Sequence, residues 1–194
     1  PGDGRYLGMR RTILGKNHQS WLDGDAFRNA TTPLDIQLGT GQLNAYRAYQ
    51  QFEPGQWQAG EAVPTIAWAY DKVAEGSYHD YDIELPLQGG TFAAVSLAWQ
   101  RQVILGDRNG NGQFDADETF SDRGLNDLNL YLLPAEATDV RQNVCASTSA
   151  VDSAEHFFCA VPRTGRYKIR VVYDQQVNDP EQAYGLAWWT VGAQ

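Results

Sequence analysis

Phe92 to Leu105 read F-A-A-V-S-L-A-W-Q-R-Q-V-I-L, and Leu125 to Leu133 read L-N-D-L-N-L-Y-L-L. In a strand, successive side chains point to opposite faces, so residues two apart share one. Val95, Leu97 and Trp99 then line one face of the first run, and Leu128, Leu130 and Leu132 one face of the second. That alternation marks half-buried strands. Thr65 to Tyr70, Tyr81 to Leu87, His156 to Val161, Tyr167 to Tyr173 and Tyr184 to Val191 read the same way, which makes seven expected strands. Gly89-Gly90, Gly106 to Gly112 and Thr164-Gly165 supply turns between them. The pattern predicts a mainly β chain: an antiparallel β-sandwich of jelly-roll or Greek-key kind. Met9 to Leu14 and Leu43 to Phe52 read as short helices, giving the fold a short α-containing N-terminal segment.

The stretch between the two opening runs carries chemistry. Asp107 to Glu118 read D-R-N-G-N-G-Q-F-D-A-D-E. Oxygen-bearing side chains fall at loop positions 1, 3, 5, 9 and 12, with Gly112 at position 6, as in an EF-hand loop. Calcium takes about six to eight hard oxygens, so a short loop has to wrap round one point. Asp107, Asn109, Asn111 and Asp115 would offer side-chain oxygens, Gln113 its carbonyl and Glu118 a bidentate carboxylate. The expected cofactor is Ca2+. The competing reading is a solvated pair of Asn-Gly turns joining two strands.

Composition narrows the function classes. The net charge is −9, which opposes binding to nucleic acid or an anionic membrane, because phosphates require clustered Lys and Arg. No run approaches the roughly eighteen apolar residues of a membrane span. Residue 1 is Pro and no signal peptide is visible, so the chain reads as a processed piece of something longer. Cys145 and Cys159 bracket a Ser-, Thr- and Asp-containing segment. A bridge there would close a loop of about fifteen residues and contribute roughly 3 kcal/mol in the chain-entropy model. Two buried thiols are the alternative. A calcium loop and a pI near 4.7 suit an oxidising, extracellular setting, which favours the disulfide.

The remaining candidates are weaker. His156 follows Glu155 in an expected strand and reads as a satisfied side chain at a sheet surface; His79 and His18 read as loop residues. Asp71, Asp80 and Asp82, or Asp122 and Asp127, could form a second ion site, although with a pI near 4.7 an acidic solvent face explains them better. Trp188 and Trp189 are adjacent in an expected strand, so one must turn away from the core and could form a ligand surface.

The run Y-D-I-E-L-P-L-Q-G-G-T-F-A-A-V-S-L-A-W-Q-R from Tyr81, then the acidic loop, then D-L-N-L-Y-L-L-P resembles a known accessory domain. It is similar to the C-terminal β-sandwich of secreted subtilisin-like serine proteases (the pre-peptidase C-terminal type, akin to a P domain). Ser149 to Phe158 and the G-R-Y-K-I-R-V run from Gly165 continue the likeness. Leu34-Asp35 and G-T-G-Q-L-N-A-Y-R-A-Y from Gly39 resemble the close of a subtilisin-like catalytic domain, and Met9 to Leu14 a helix of it. The resemblance therefore divides the chain at residues 1–53 and 54–194. It implies a non-catalytic accessory domain, stabilised by calcium, that positions a catalytic domain upstream of Pro1 or binds a surface. The Ser of a G-T-S-x-[AM] motif is missing, so any triad would lie in the parent endopeptidase. Two other readings remain open: a stand-alone extracellular module binding carbohydrate or protein, and a calcium-dependent structural or assembly protein.

Overall fold

The computed structural model describes residues 20–41 and 43–193. The expected helix at Met9 to Leu14 and the candidate His18 lie outside them. Twelve strands are present among the described residues: β1 Gln56–Trp57, β2 Ala62–Val63, β3 Ile66–Ala74, β4 Tyr78–Ile83, β5 Phe92–Trp99, β6 Val103–Leu105, β7 Phe120–Asp122, β8 Asp127–Pro134, β9 Cys145–Ser147, β10 Ala154–Ala160, β11 Tyr167–Gln175 and β12 Glu181–Trp189. They form two five-stranded sheets, ordered β1-β3-β12-β5-β10 and β2-β4-β11-β8-β9, plus a separate ribbon of β6 and β7. The short strands β1 and β2 join parallel to β3 and β4; the other pairs are antiparallel. Without β1 and β2, each sheet has four strands drawn alternately from the two ends of the chain, the jelly-roll arrangement of a β-sandwich.

Alternation builds the core as expected. Val95, Leu97 and Trp99 of β5 face Leu128, Leu130 and Leu132 of β8 across the sandwich, with Ile169, Val171, Leu186 and Trp188 between them, all buried. Several expected boundaries differ. The Tyr78 to Asp80 stretch around His79 is strand rather than loop, extending the expected strand backwards, because it pairs with Arg170 to Val172. That strand ends at Ile83, and Leu87 makes only isolated bridges to Gly165 and Gly192. The Phe92 to Leu105 run breaks after Trp99, where the chain leaves the sheet to form the ribbon.

The N-terminal part packs on the outer face of the first sheet. A 3-10 turn at Trp21–Asp23 leads into α1, Asp25–Arg28. Trp21 is fully buried, donates its indole N–H to the Gly39 carbonyl at 2.9 Å, and sits edge-on to His156 and Phe158 of β10. His156 is therefore not at a free sheet surface, as its sequence suggested: the Trp21 segment covers it, and burial lowers its pKa to about 4. The expected second helix is α2, Ala45–Phe52, whose N-cap Asn44 accepts the Arg47 N–H at 3.1 Å. It docks by stacking Phe52 on Trp68 at 5.0 Å.

Polar side chains close the sandwich at its edges. Cys145 of β9 and Cys159 of β10 form a disulfide between the two sheets. One rung further, Glu155 accepts from the Ser147 hydroxyl and the Ser149 N–H. On the outer face of the second sheet, Arg170 grips Asp80 through two hydrogen bonds of 2.6 and 2.7 Å, and Lys168 adds an ion pair at 3.0 Å. Partial burial works to raise the Asp80 carboxyl, but these two cations hold it below its ordinary pKa.

Glu155 faces Leu97 in the register and is completely buried, and burial pushes its pKa up from 4.5 to about 8. The folded chain thus holds a proton that the unfolded chain releases above pH 4.5. Its contribution to stability is complete below that pH and is lost as pH rises through about 8. Glu155→Gln should flatten the decline in melting temperature across this window, a difference on the order of a few kcal/mol measured by thermal denaturation at stepped pH.

Candidate metal centre

The ribbon exists to carry the acidic loop. Val103, Ile104 and Leu105 pair with Asp122, Ser121 and Phe120, and the Gly106 N–H to Thr119 carbonyl bond at 2.8 Å closes the last rung. Gly106 permits that approach, since a Cβ there would lie 3.1 Å from the Thr119 carbonyl oxygen. Phe114 and Phe120 stack at 5.2 Å on the outside of the loop. The ribbon's base is anchored by the Gln102 carboxamide, which donates to Asp179 at 2.6 Å.

Within the loop the oxygens turn inward. Asp107 accepts the Gly110 N–H at 2.6 Å and the Gly112 N–H at 2.7 Å. The Gly112 and Gly110 amides hold its carboxyl below the usual range. Asn109 and Asn111 accept the N–H groups of Asn111 and Gln113, at 2.9 and 2.7 Å, and both donate their carboxamide NH2 to Asp115. Glu118 is buried, with one carboxylate oxygen on the Arg108 N–H at 2.8 Å and the other on the Asp115 N–H at 3.0 Å. Gly110 and Gly112 adopt φ of 75° and 73°, the left-handed conformation that glycine favours.

The structure thus gathers Asp107, Asn109, Asn111, Asp115 and Glu118 round one web, while Gln113 enters it through its N–H. Among the described residues no three His, Cys, Asp or Glu side chains gather as metal ligands. The loop's set relies instead on two Asn amides beside its carboxylates. It is all oxygen, which fits a hard cation such as calcium rather than a thiophilic metal.

The other candidates separate. Asp80 is committed to Arg170 and Lys168, and Asp122 to Arg101 at 3.1 Å. His79 faces away from Asp80 and Asp82, with Nδ1 at 2.8 Å from the Tyr184 hydroxyl and 3.4 Å from Asp71. Trp188 and Trp189 do point oppositely. Trp188 is buried in the core and donates to the Pro64 carbonyl at 2.8 Å, whereas Trp189 is partly exposed with the Arg47 guanidinium 5.3 Å from its ring centroid.

Two features were not read from the sequence. Asn126 is fully buried and organises the loop opposite the ribbon, accepting the Val177 and Asn178 N–H groups at 2.8 and 3.0 Å and donating to Gln182 at 2.9 Å. An open groove of about 830 Å³ lies there, lined by Lys72, Arg101, Gln102, Asn178, Asp179 and Gln182 among others. Its walls come from three separate stretches of chain, so no local pattern announces it. The Gly124-Leu125-Asn126 turn was the only available signal.

No family model matches the chain, and no curated protein matches it. A solved structure that aligns with it is PliG of Aeromonas hydrophila, a periplasmic inhibitor of g-type lysozyme. The identity is 13%, over 66% of this chain and 95% of that one, with a TM-score of 0.37; a likeness at that level carries no argument about this chain.

Asp107→Ala removes the acceptor of two backbone N–H groups. Hydrogen exchange at Gly110 and Gly112 should then accelerate by at least about tenfold, while the β8 and β11 amides keep their protection.

Proposed function

We propose that this chain is a non-catalytic, calcium-stabilised β-sandwich that serves as an accessory domain of a secreted subtilisin-like serine protease. The observation that carries the proposal is the loop web of Asp107, Asn109, Asn111, Asp115 and Glu118, whose oxygens would supply the ligands of a calcium clamp. The inter-sheet disulfide supports an oxidising, extracellular setting. The packing of Trp21 and Phe52 on the outer face of the first sheet supports a role in holding upstream chain against the sandwich. In this reading the sandwich positions the catalytic domain, and the catalytic residues belong to the parent endopeptidase.

A second reading has its own observation. Tyr46, Tyr49 and Phe52 of α2 and Tyr70 of β3 are exposed on the same side of the molecule as the partly exposed Trp189. Such an aromatic surface suits a polysaccharide or protein partner. Trp188 has no part in it, being in the core.

Calcium at a hundredfold excess over Kd should stabilise the chain by about 2.7 kcal/mol, raising the melting temperature by about 5–10 °C. Asp107→Ala or Glu118→Ala should abolish the rise; an equal melting point with calcium and with chelator would remove the loop from the proposal. A fluorophosphonate probe on source material tests the parent. Labelling of a longer polypeptide containing these peptides supports the accessory role. Unlabelled material of 21.6 kDa favours the stand-alone module.

A further inference from the structure

A second group of oxygens lies on the outer face of the second sheet, away from the ribbon loop. Asp127, Asn129 and Tyr131 alternate along β8 and share one face, opposite to Leu128, Leu130 and Leu132, which enter the core. Asn129 is only 7% exposed, yet its carboxamide oxygen has no hydrogen-bond partner. One carboxylate oxygen of Asp127 is buried and equally without a partner. Orphan buried oxygens are rare and costly, so two of them side by side call for a missing positive group.

The partner strand brings another carboxylate to the same place. Leu128 pairs with Tyr173 and Asp127 with Gln175, so a bulge leaves Asp174 as the additional residue between them. Bulges re-aim side chains next to functional sites. Here the Asp127 carboxyl is raised by burial and by the charge of Asp174, with no cationic side chain offsetting either. The Tyr131 phenol is likewise raised by burial, then by Asp174 and Asp127.

We propose that Asp127, Asn129 and Asp174 form a second binding site for a hard divalent cation, independent of the ribbon loop. Two carboxylates and an amide oxygen supply an all-oxygen set that water completes, the chemistry of calcium or magnesium. The cation gives the Asn129 and Asp127 oxygens the partner they lack and ties β8 to the bulge of β11.

Terbium, a calcium mimic excited through nearby tyrosines, and calorimetric titration with calcium count the sites in the full chain. The intact chain should bind two ions, and Asp127→Asn one, with affinity at the lost site down by at least about tenfold (~1.4 kcal/mol). Asp127→Asn also removes repulsion with Asp174, so its melting temperature in chelator should equal or exceed that of the parent chain. The double variant Asp107→Ala, Glu118→Ala should keep one ion, and adding Asp127→Asn should eliminate it. If the double variant binds nothing, or Asp127→Asn leaves the count unchanged, the second site is overturned. A single ion in the intact chain that disappears on Asp127→Asn would uphold this site and remove the loop's, so the two proposals fail separately.

Discussion

Everything else in the molecule hangs on keeping one apolar interface dry. The inner faces of two sheets meet through Val95, Leu97, Leu128, Leu130, Leu132, Ile169, Val171, Leu186 and Trp188, each at most 2% exposed. Each fully buried side chain of this size contributes roughly 1.5–3 kcal/mol relative to exposure, more than any single polar contact described here. Because consecutive long strands switch sheets, the interface can form only when both ends of the chain are in place: β12 inserts between β3 and β5, and β11 between β4 and β8. Most contacts are therefore non-local, and loops collect at the ends of the sandwich, where the ribbon and the groove are found.

Polar groups are admitted where that interface meets its edges. Glu155 enters beside the disulfide and is satisfied by Ser147 and Ser149. At the opposite edge Tyr81, Tyr184 and His79 form a chain of hydrogen bonds of 2.8 Å. Arg170 and Lys168 surround Asp80 on the outer face, so three charged groups are ordered with a net charge of one. Buried charge is tolerable when it is paired, and uncharged polar groups when hydrogen-bonded. Asp127 and Asn129 depart from that rule, and among the described residues this departure distinguishes them from the other acidic groupings.

The strands around Val95–Trp99 and Leu128–Leu132 were legible because alternation reports directly on a sheet with one dry face. The acidic loop was legible as a separate turn-rich segment because its pattern is local: it lies within twelve consecutive residues, and hydrogen bonds between near neighbours shape it. His156 was misread because the residue that buries it, Trp21, lies far away in sequence. The Tyr78–Asp80 stretch was misread as loop because its polarity suggests a turn, whereas Asp80 is compensated by Arg170 and Lys168 on the neighbouring strand. The opposite orientation of Trp188 and Trp189 followed from period two alone, but which of them faced the core did not.

The sequence by itself determined the mainly β character, the positions of the seven long runs, the loop at Asp107–Glu118 and the cysteine pair. Each rests on periodicity, turn chemistry or spacing within a short stretch. The tertiary structure alone decided which strands are neighbours, that the disulfide joins the two sheets, that the N-terminal segment covers β10, and that the β11 bulge at Asp174 falls beside Asp127. The physical reason is that hydrogen bonds join residues as distant as Thr65 and Thr190, 125 positions apart, and burial joins pairs as distant as Trp21 and Phe158. No local pattern carries such information; only the closing of the core specifies it.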